Sequence, residues 1–152
     1  MSIASAICNS FKVEILKAVH NFNTSGGNTF NLAMYTSSAT LGATTTAYAT
    51  NPGGGSNTEI DNTSGSSYSA KGKALTNITP VLNSTTAVVD FANISWTSAS
   101  FTANGCLIFN DTASGDPACC TIAFGGDKTV TSGTFTIEFP AATAGNAIIG
   151  IA

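Results

Sequence analysis

The chain has no arginine, no glutamine and a single histidine, and Asp, Glu and Lys make up only 9% of its 152 residues. Soluble domains usually carry about 25% charged residues. Five lysines against eight acids leave a net charge of −3 and an isoelectric point near 4.7. That balance excludes the basic field that nucleic-acid binding needs. No stretch approaches the roughly 20 apolar residues of a membrane-spanning helix, and residues 139–152 are broken by Pro140, Thr143 and Asn146. The first twenty residues do not read as a secretory signal, because Lys12, Glu14 and Lys17 interrupt the apolar positions and Ala4-Ser5-Ala6 comes too early for a cleavage site. These absences predict a soluble protein made in a cytoplasm, with neither nucleic acid nor membrane as a partner.

Reactive chemistry is equally sparse. Nucleophilic catalysis of the Ser-His-Asp kind needs a histidine beside a nucleophile; His20 is the only candidate base, and no Gly-x-Ser-x-Gly elbow occurs. Glu59 and Asp61 sit close together in sequence as a candidate carboxylate pair, but without a local signature they read as solvated side chains. Gly53-Gly54-Gly55 lacks the Gly-Lys-Ser/Thr that completes a phosphate cradle. Asn110, Thr112, Ser114 and Asp116 alternate around Gly115 in a faint echo of a calcium loop, with too few carboxylates and no bidentate glutamate. Cys8, Cys106, Cys119 and Cys120 have no CxxC spacing, and one histidine cannot complete a zinc set. They read as buried reduced thiols acting as small apolar residues, although a disulfide such as Cys106 to Cys120 stays open. Six Asn-x-Ser/Thr triplets, at Asn23, Asn62, Asn77, Asn83, Asn93 and Asn110, follow from composition, and none is read as glycosylated. No catalytic, cofactor-binding or metal-binding residue is assigned.

What the chain does have is Thr, Ser, Asn and Gly, which fill 69 of the 152 positions. A mean hydropathy of +0.22 and 43% hydrophobic residues supply a core and exclude wholesale disorder. A length of 152 residues fits one domain. Ile3, Ile7, Phe11, Ile15, Ala18, Val19 and Phe22 recur at three- and four-residue steps, which predicts an amphipathic helix over 2–22 with Ser2 as its N-cap. This helix would cover the β domain or dock a partner subunit. The period then changes: Phe30, Leu32 and Met34 alternate with Asn31, Ala33 and Tyr35, as in a half-buried strand. Residues 36–67 form a long Thr/Ser/Gly-rich loop, either a surface excursion or a segment that binds or packs on a neighbour. Short strands are predicted at 68–75, 87–91, 94–96, 105–109, 119–124, 134–139 and 147–151, with turns at 111–117 and 131–133. Trp96, the one tryptophan, reads as core. The fold class expected is mainly β, an antiparallel β-sandwich or jelly-roll-like domain with one N-terminal α-helix.

Several stretches together resemble a group of small tailed-bacteriophage virion structural proteins. The opening Ala4-Ser5-Ala6-Ile7-Cys8-Asn9-Ser10-Phe11-Lys12 followed by Glu14-Ile15-Leu16 is one. Others are Phe30-Asn31-Leu32-Ala33-Met34-Tyr35-Thr36-Ser37-Ser38-Ala39-Thr40-Leu41 with Thr44-Thr45-Thr46-Ala47-Tyr48, Gly65-Ser66-Ser67-Tyr68-Ser69-Ala70-Lys71-Gly72, Asp90-Phe91-Ala92-Asn93-Ile94-Ser95-Trp96, Asn104-Gly105-Cys106-Leu107-Ile108-Phe109-Asn110, and Phe124-Gly125-Gly126-Asp127-Lys128 onward to Ile151. The chain departs from the group at Cys119-Cys120 and at Lys71, which stands in a segment that is otherwise glycine-rich. The resemblance implies a non-enzymatic virion part without cofactors. Its preferred role is a capsid decoration (cement) protein on the capsid exterior, a homotrimer whose partner is the major capsid protein. Three alternatives stand beside it. One is a tail, neck or fibre component that binds host-surface glycan through the long loop; another is a glycan-active enzyme using His20, Glu59 and Asp61; the last is a cellular carbohydrate-binding or adhesin module.

Overall fold

Alternation of apolar and Thr/Ser residues dominates the second half of the chain, and that half folds as strands. In the computed structural model, which describes residues 1–60 and 66–152, eight strands and one short helix form two antiparallel sheets. The strands are β1 (Ala6–Ile7), β2 (Phe30–Tyr35), β3 (Lys73–Ala74), β4 (Asn77–Asn83), β5 (Thr86–Phe91), β6 (Ile94–Asn110), β7 (Ala118–Ile137) and β8 (Ile149–Ile151), and the helix is α1 (Asn9–Leu16). The larger sheet has the order β1-β7-β6-β2-β3 and the smaller the order β4-β5-β8. The expected class, mainly β and compatible with a sandwich, is what forms.

The helix expected over 2–22 is corrected to eight residues. Residues 2–7 are extended instead: Ile3 bridges Leu41, and Ala6 and Ile7 pair with Thr121 and Cys120. Ser5 and Thr121 reinforce this edge, Ser5 Oγ accepting from the Ala123 amide at 3.0 Å and Thr121 Oγ1 donating to the Ala4 carbonyl at 2.7 Å. Ile3 and Ile7 fit a helical stripe and an edge strand alike, and ladder bonds decided between them. At the other end the Val19 amide reaches the Glu14 carbonyl at 3.0 Å and the Ala18 amide the Ile15 carbonyl at 3.2 Å. That is the bond pattern of a Schellman stop, in which the residue after the C-cap turns left-handed. Ala18 occupies that position at φ 57°, so the stop comes without its usual glycine.

Other departures have local causes. β2 is buried at five of its six positions rather than half-buried, with Phe22 and Phe91 packed on Phe30 and the Tyr68 hydroxyl reaching the Met34 amide. The strand expected over 68–75 shrinks to β3, since Lys71 and Gly72 both take positive φ and turn the chain. A Cβ on Gly72 would sit 1.8 Å from the Leu32 carbonyl oxygen, so only glycine lets β2 and this turn approach. β4 had no expected counterpart: Pro80 interrupts its pattern, and a proline is tolerated there because β4 is an edge strand paired only with β5. The expected pairs of short strands fuse into β6 and β7, a single long hairpin. The turn expected at 131–133 becomes a bulge, with Ser132 at φ 46°, and a second bulge at Phe124–Asp127 lies opposite Asn104. Bulges let a strand bend without ending.

The two sheets meet through aromatic rings. Phe22 stacks on Phe30 with centroids 4.3 Å apart and planes within 4°, and Phe91 of the small sheet lies 5.9 Å from Phe30 of the large one. Offset or tilted ring pairs of this kind contribute about 0.5–1.5 kcal/mol beyond their burial.

Replacing Ala18 with Gly relieves the left-handed strain of the helix stop. Ala18→Gly is expected to raise stability by about 0.5–1 kcal/mol, read as a higher thermal midpoint of roughly 2–4 °C.

Candidate functional site

His20 and Glu59, both singled out in the sequence, lie in different hydrogen-bonded clusters. His20, placed by the extended segment after α1, has a fully buried side chain against Phe11, with ring centroids 4.9 Å apart. Its Nε2 lies 2.9 Å from Glu14 Oε2; its Nδ1 lies 3.2 Å from Asn110 Nδ2 and 3.8 Å from Cys119 Sγ. Asn110 Oδ1 accepts from the Thr112 and Ala113 amides, both at 3.1 Å, which turns Nδ2 toward the ring. Nδ1 is then an acceptor, and the Nε2–H donates to the Glu14 carboxylate. Cysteine, histidine and acid in this order have the outline of a nucleophilic triad. Burial pushes the Cys119 thiol far up, however, and Cys119 does not line the groove that reaches His20. The thiolate is not available at neutral pH, and the cluster serves to fasten the segment after α1 to the β6–β7 turn.

Glu59 is not solvated as expected; it is 4% exposed. Its Oε2 accepts from the Tyr48 hydroxyl at 2.6 Å, and its Oε1 from the Tyr68 hydroxyl and the Lys71 amide, both at 2.8 Å. The Tyr68 hydroxyl in turn accepts from the Met34 amide at 2.9 Å, tying the carboxylate to β2. Burial first, and then the Glu59 charge, push the Tyr68 and Tyr35 hydroxyls up, so both stay neutral donors. Asp61 and Asn62 lie outside the described residues. The described part of the long loop is pinned to the body: Tyr35 bridges Glu59, Ala47 bridges Pro117, and Ala39, Leu41, Thr58 and Ile60 are buried.

The calcium-like spacing at 110–116 resolves differently. Asn110 turns inward, and Asp116 and Asp111 each lie 2.8 Å from the Lys71 amine. Hydrogen bonds to Asp111 and then Asp116 push that amine up, so Lys71 is the cation of this loop. It also sits over the rings of Tyr48 and Phe109 at 5.7 and 6.0 Å. Among the described residues no group of three metal-ligating side chains occurs. Trp96 is core, as expected, with Tyr68 at 6.2 Å and the Lys73 amine 5.7 Å from its ring centroid. The four cysteines are free and buried.

Sequence reasoning missed Tyr48, Tyr68 and Asn110 as the partners that satisfy the buried polar groups. Two tyrosines flanking Glu59 were visible, but nothing local says that they converge on it from opposite sides.

The remaining feature is apolar surface. A groove of about 490 Å³ runs between α1 and the small sheet, with Phe11, Ile15, Phe22, Val89, Ile149 and Ile151 among its walls. Leu82, Ala87 and Ile151 stand in register across β4, β5 and β8, so they form one exposed row on a single face. Val13 and Leu16 of α1 and Ile78, Val81, Leu82 and Ile151 of the small sheet are large apolar side chains left exposed, Leu16 at 87% and Leu82 at 72%. Exposure of this kind concentrated on neighbouring elements marks an interaction surface more often than scattered exposure does. A second groove, of about 470 Å³, lies along β7 between Ile122, Phe124, Phe135 and the segment carrying Phe139, Pro140 and Ile148.

Two substitutions weigh the polar clusters. Glu59→Ala leaves two hydroxyls and an amide without their acceptor and is expected to cost about 3 kcal/mol, with Glu59→Gln intermediate, by denaturant unfolding. Lys71 carries a left-handed φ of 69° and half-exposed ion pairs. Lys71→Gly is therefore expected within about 0.5 kcal/mol of the parent protein, and Lys71→Ala about 1 kcal/mol below Lys71→Gly; equal losses in both would show that the ion pairs outweigh the backbone strain.

Comparison with protein-family models, with curated proteins and with solved structures finds no match to this chain.

Proposed function

We propose that this chain is a non-enzymatic virion structural protein of a tailed bacteriophage, a capsid decoration protein that binds between capsomers on the outside of the shell as a jelly-roll-like homotrimer. The reading rests on the resemblance that runs through nearly the whole sequence. The observation in the fold that supports it most is the exposed apolar side chains of α1, β4 and β8, among them the Leu82–Ala87–Ile151 row, whose Ala87 and Ile151 also line the groove beside α1. A cement protein stiffens a shell by contact area rather than by reactive groups, and that band is contact area with few charges to desolvate: the small sheet carries a single ionisable side chain, Asp90. The polar clusters fit the same role, since His20, Glu59 and Lys71 have their hydrogen-bonding capacity taken up by the protein itself. In a closed trimer the short edge strands β1, β3 and β8 meet a neighbour or a covering loop rather than open solvent.

Quantitative mass spectrometry of purified particles tests the position. A copy number comparable with the major capsid protein is the expected result. A few copies per particle would overturn the shell assignment in favour of a tail or neck component, and absence from particles would end both. On shells stripped of the protein, Leu82→Asp is expected to weaken rebinding at least about tenfold while the thermal midpoint of the free protein stays within about 2 °C, since Leu82 is mostly exposed. Sedimentation of the free protein reads the trimer directly.

A further inference from the structure

Cys8 and Cys119 stand opposite each other at the end of the β1–β7 ladder. The register pairs Ala6 with Thr121 and Ile7 with Cys120, and the next step brings Cys8 to Cys119. The ladder persists to that step, because the Cys8 amide donates to the Cys119 carbonyl at 3.0 Å. Directly opposed residues of an antiparallel pair project to the same face, and a hydrogen-bonded pair brings its Cα atoms to about 5.5 Å. That is inside the roughly 4.4–6.8 Å that a disulfide spans. Cys119 Sγ lies beside His20 and Cys8 directly precedes α1, so the pair sits on the α1 side of the sheet.

The other pairings are worse placed. Cys119 and Cys120 are adjacent on β7 at the bulge facing Ile108 and Phe109, and consecutive Cα atoms about 3.8 Å apart fall below the span of an ordinary disulfide. Cys106 opposes Ile122 while Cys120 opposes Ile108, which makes the Cys106–Cys120 pair, left open by the sequence, a diagonal one. Diagonal neighbours lie about 7–8 Å apart, beyond disulfide reach without backbone movement.

We propose that Cys8 and Cys119 are a cross-strand thiol pair that closes to a disulfide under oxidising conditions and locks the N-terminal strand and α1 onto β7. The oxidant is a low-molecular-weight disulfide. Cys8 loses its proton to solvent and attacks one sulfur of the oxidant, which leaves as a thiolate. With β1 frayed and Cys119 open to solvent, Cys119 then loses its proton to solvent, attacks the Cys8 sulfur of the mixed disulfide and expels the second small thiolate. Two electrons pass to the oxidant, and two small thiols result. Both cysteines are fully buried, so the reaction waits on fraying of β1, a two-residue strand at the sheet edge. Cys8 reacts first because it sits at that edge and because burial raises its thiol only to about 11, less than it raises Cys119.

The inference is independent of the assembly role, and its test reads the isolated full chain, so either can fail without the other. The protein is equilibrated with glutathione mixtures of increasing oxidation, in urea below its unfolding transition to speed the fraying, then alkylated and mapped without reduction. The expected product has lost about 2 Da, carries one Cys8–Cys119 link, and keeps Cys106 and Cys120 alkylatable after denaturation. Its thermal midpoint rises by about 5 °C or more, because the link closes a loop of more than a hundred residues. Cys8→Ala is expected to abolish the mass loss and Cys106→Ala to retain it. Complete alkylation of Cys8 and Cys119 at the most oxidising ratio overturns the proposal, as does a link from either one to Cys106 or Cys120.

Discussion

The β6–β7 ladder is the constraint on which the rest of this fold depends. It runs from the Ile94–Ile137 pair to the Phe109–Ala118 pair; β2 attaches to β6 and β1 to β7, and β3 follows on β2. Its register is set from the turn end. Asn110 caps the turn through the Thr112 and Ala113 amides, and Lys71 clamps Asp111 and Asp116 across it. A one-residue slip would turn every side chain to the wrong face, so polar side chains at the turn help to keep Leu107, Ile108 and Phe109 in the core. Bulges around Ser132 and at Phe124–Asp127 then let the two strands bend without separating.

In a chain with so few charges, the placement of each one is informative. Glu14 serves His20, Glu59 serves two tyrosines and a backbone amide, and Lys71 serves two aspartates. All three clusters join segments remote in sequence. Each holds down something that is not regular structure: the stretch after α1, the long loop, and the turn before β3. A buried carboxylate with three donors is expensive to break rather than strongly stabilising to make. Such a group favours one loop conformation over others, which suits a protein that must present a fixed surface.

That surface is apolar and lies on α1 and the small sheet. Shape here comes from register: Leu82, Ala87 and Ile151 are neighbours only because β4, β5 and β8 pair as they do. Phe91 and Ile149 share the face of this row by alternation and are buried where it meets the aromatic core, while Val88 is buried on the other face. The proposed role as a shell-binding part draws on the resemblance in the sequence and on this contact face. The cysteine pair at the N-terminal edge adds a separate means of fastening α1, one wall of that face, to the sheet.

Read alone, the sequence determined the class of fold, the strands at 30–35 and 87–91 and most of the residues of β6 and β7 nearest the core, the buried state of Trp96 and the four cysteines, and the turn at 111–117. These follow from local pattern: period-two alternation, β-branched content and turn chemistry act between near neighbours and are legible residue by residue. The sequence misjudged what depended on partners. Ile3 and Ile7 satisfied a helical stripe, yet a free edge of β7 offered them ladder bonds; Ala18 stopped the helix in a conformation normally left to glycine; Pro80 hid an edge strand. Glu59 looked solvated because its donors, Tyr48, Tyr68 and the Lys71 amide, come from separate parts of the chain. Only tertiary structure decided these cases, because burial, hydrogen-bond partners and strand register are relations between distant segments, and the energy of each is set by where the other segment lies.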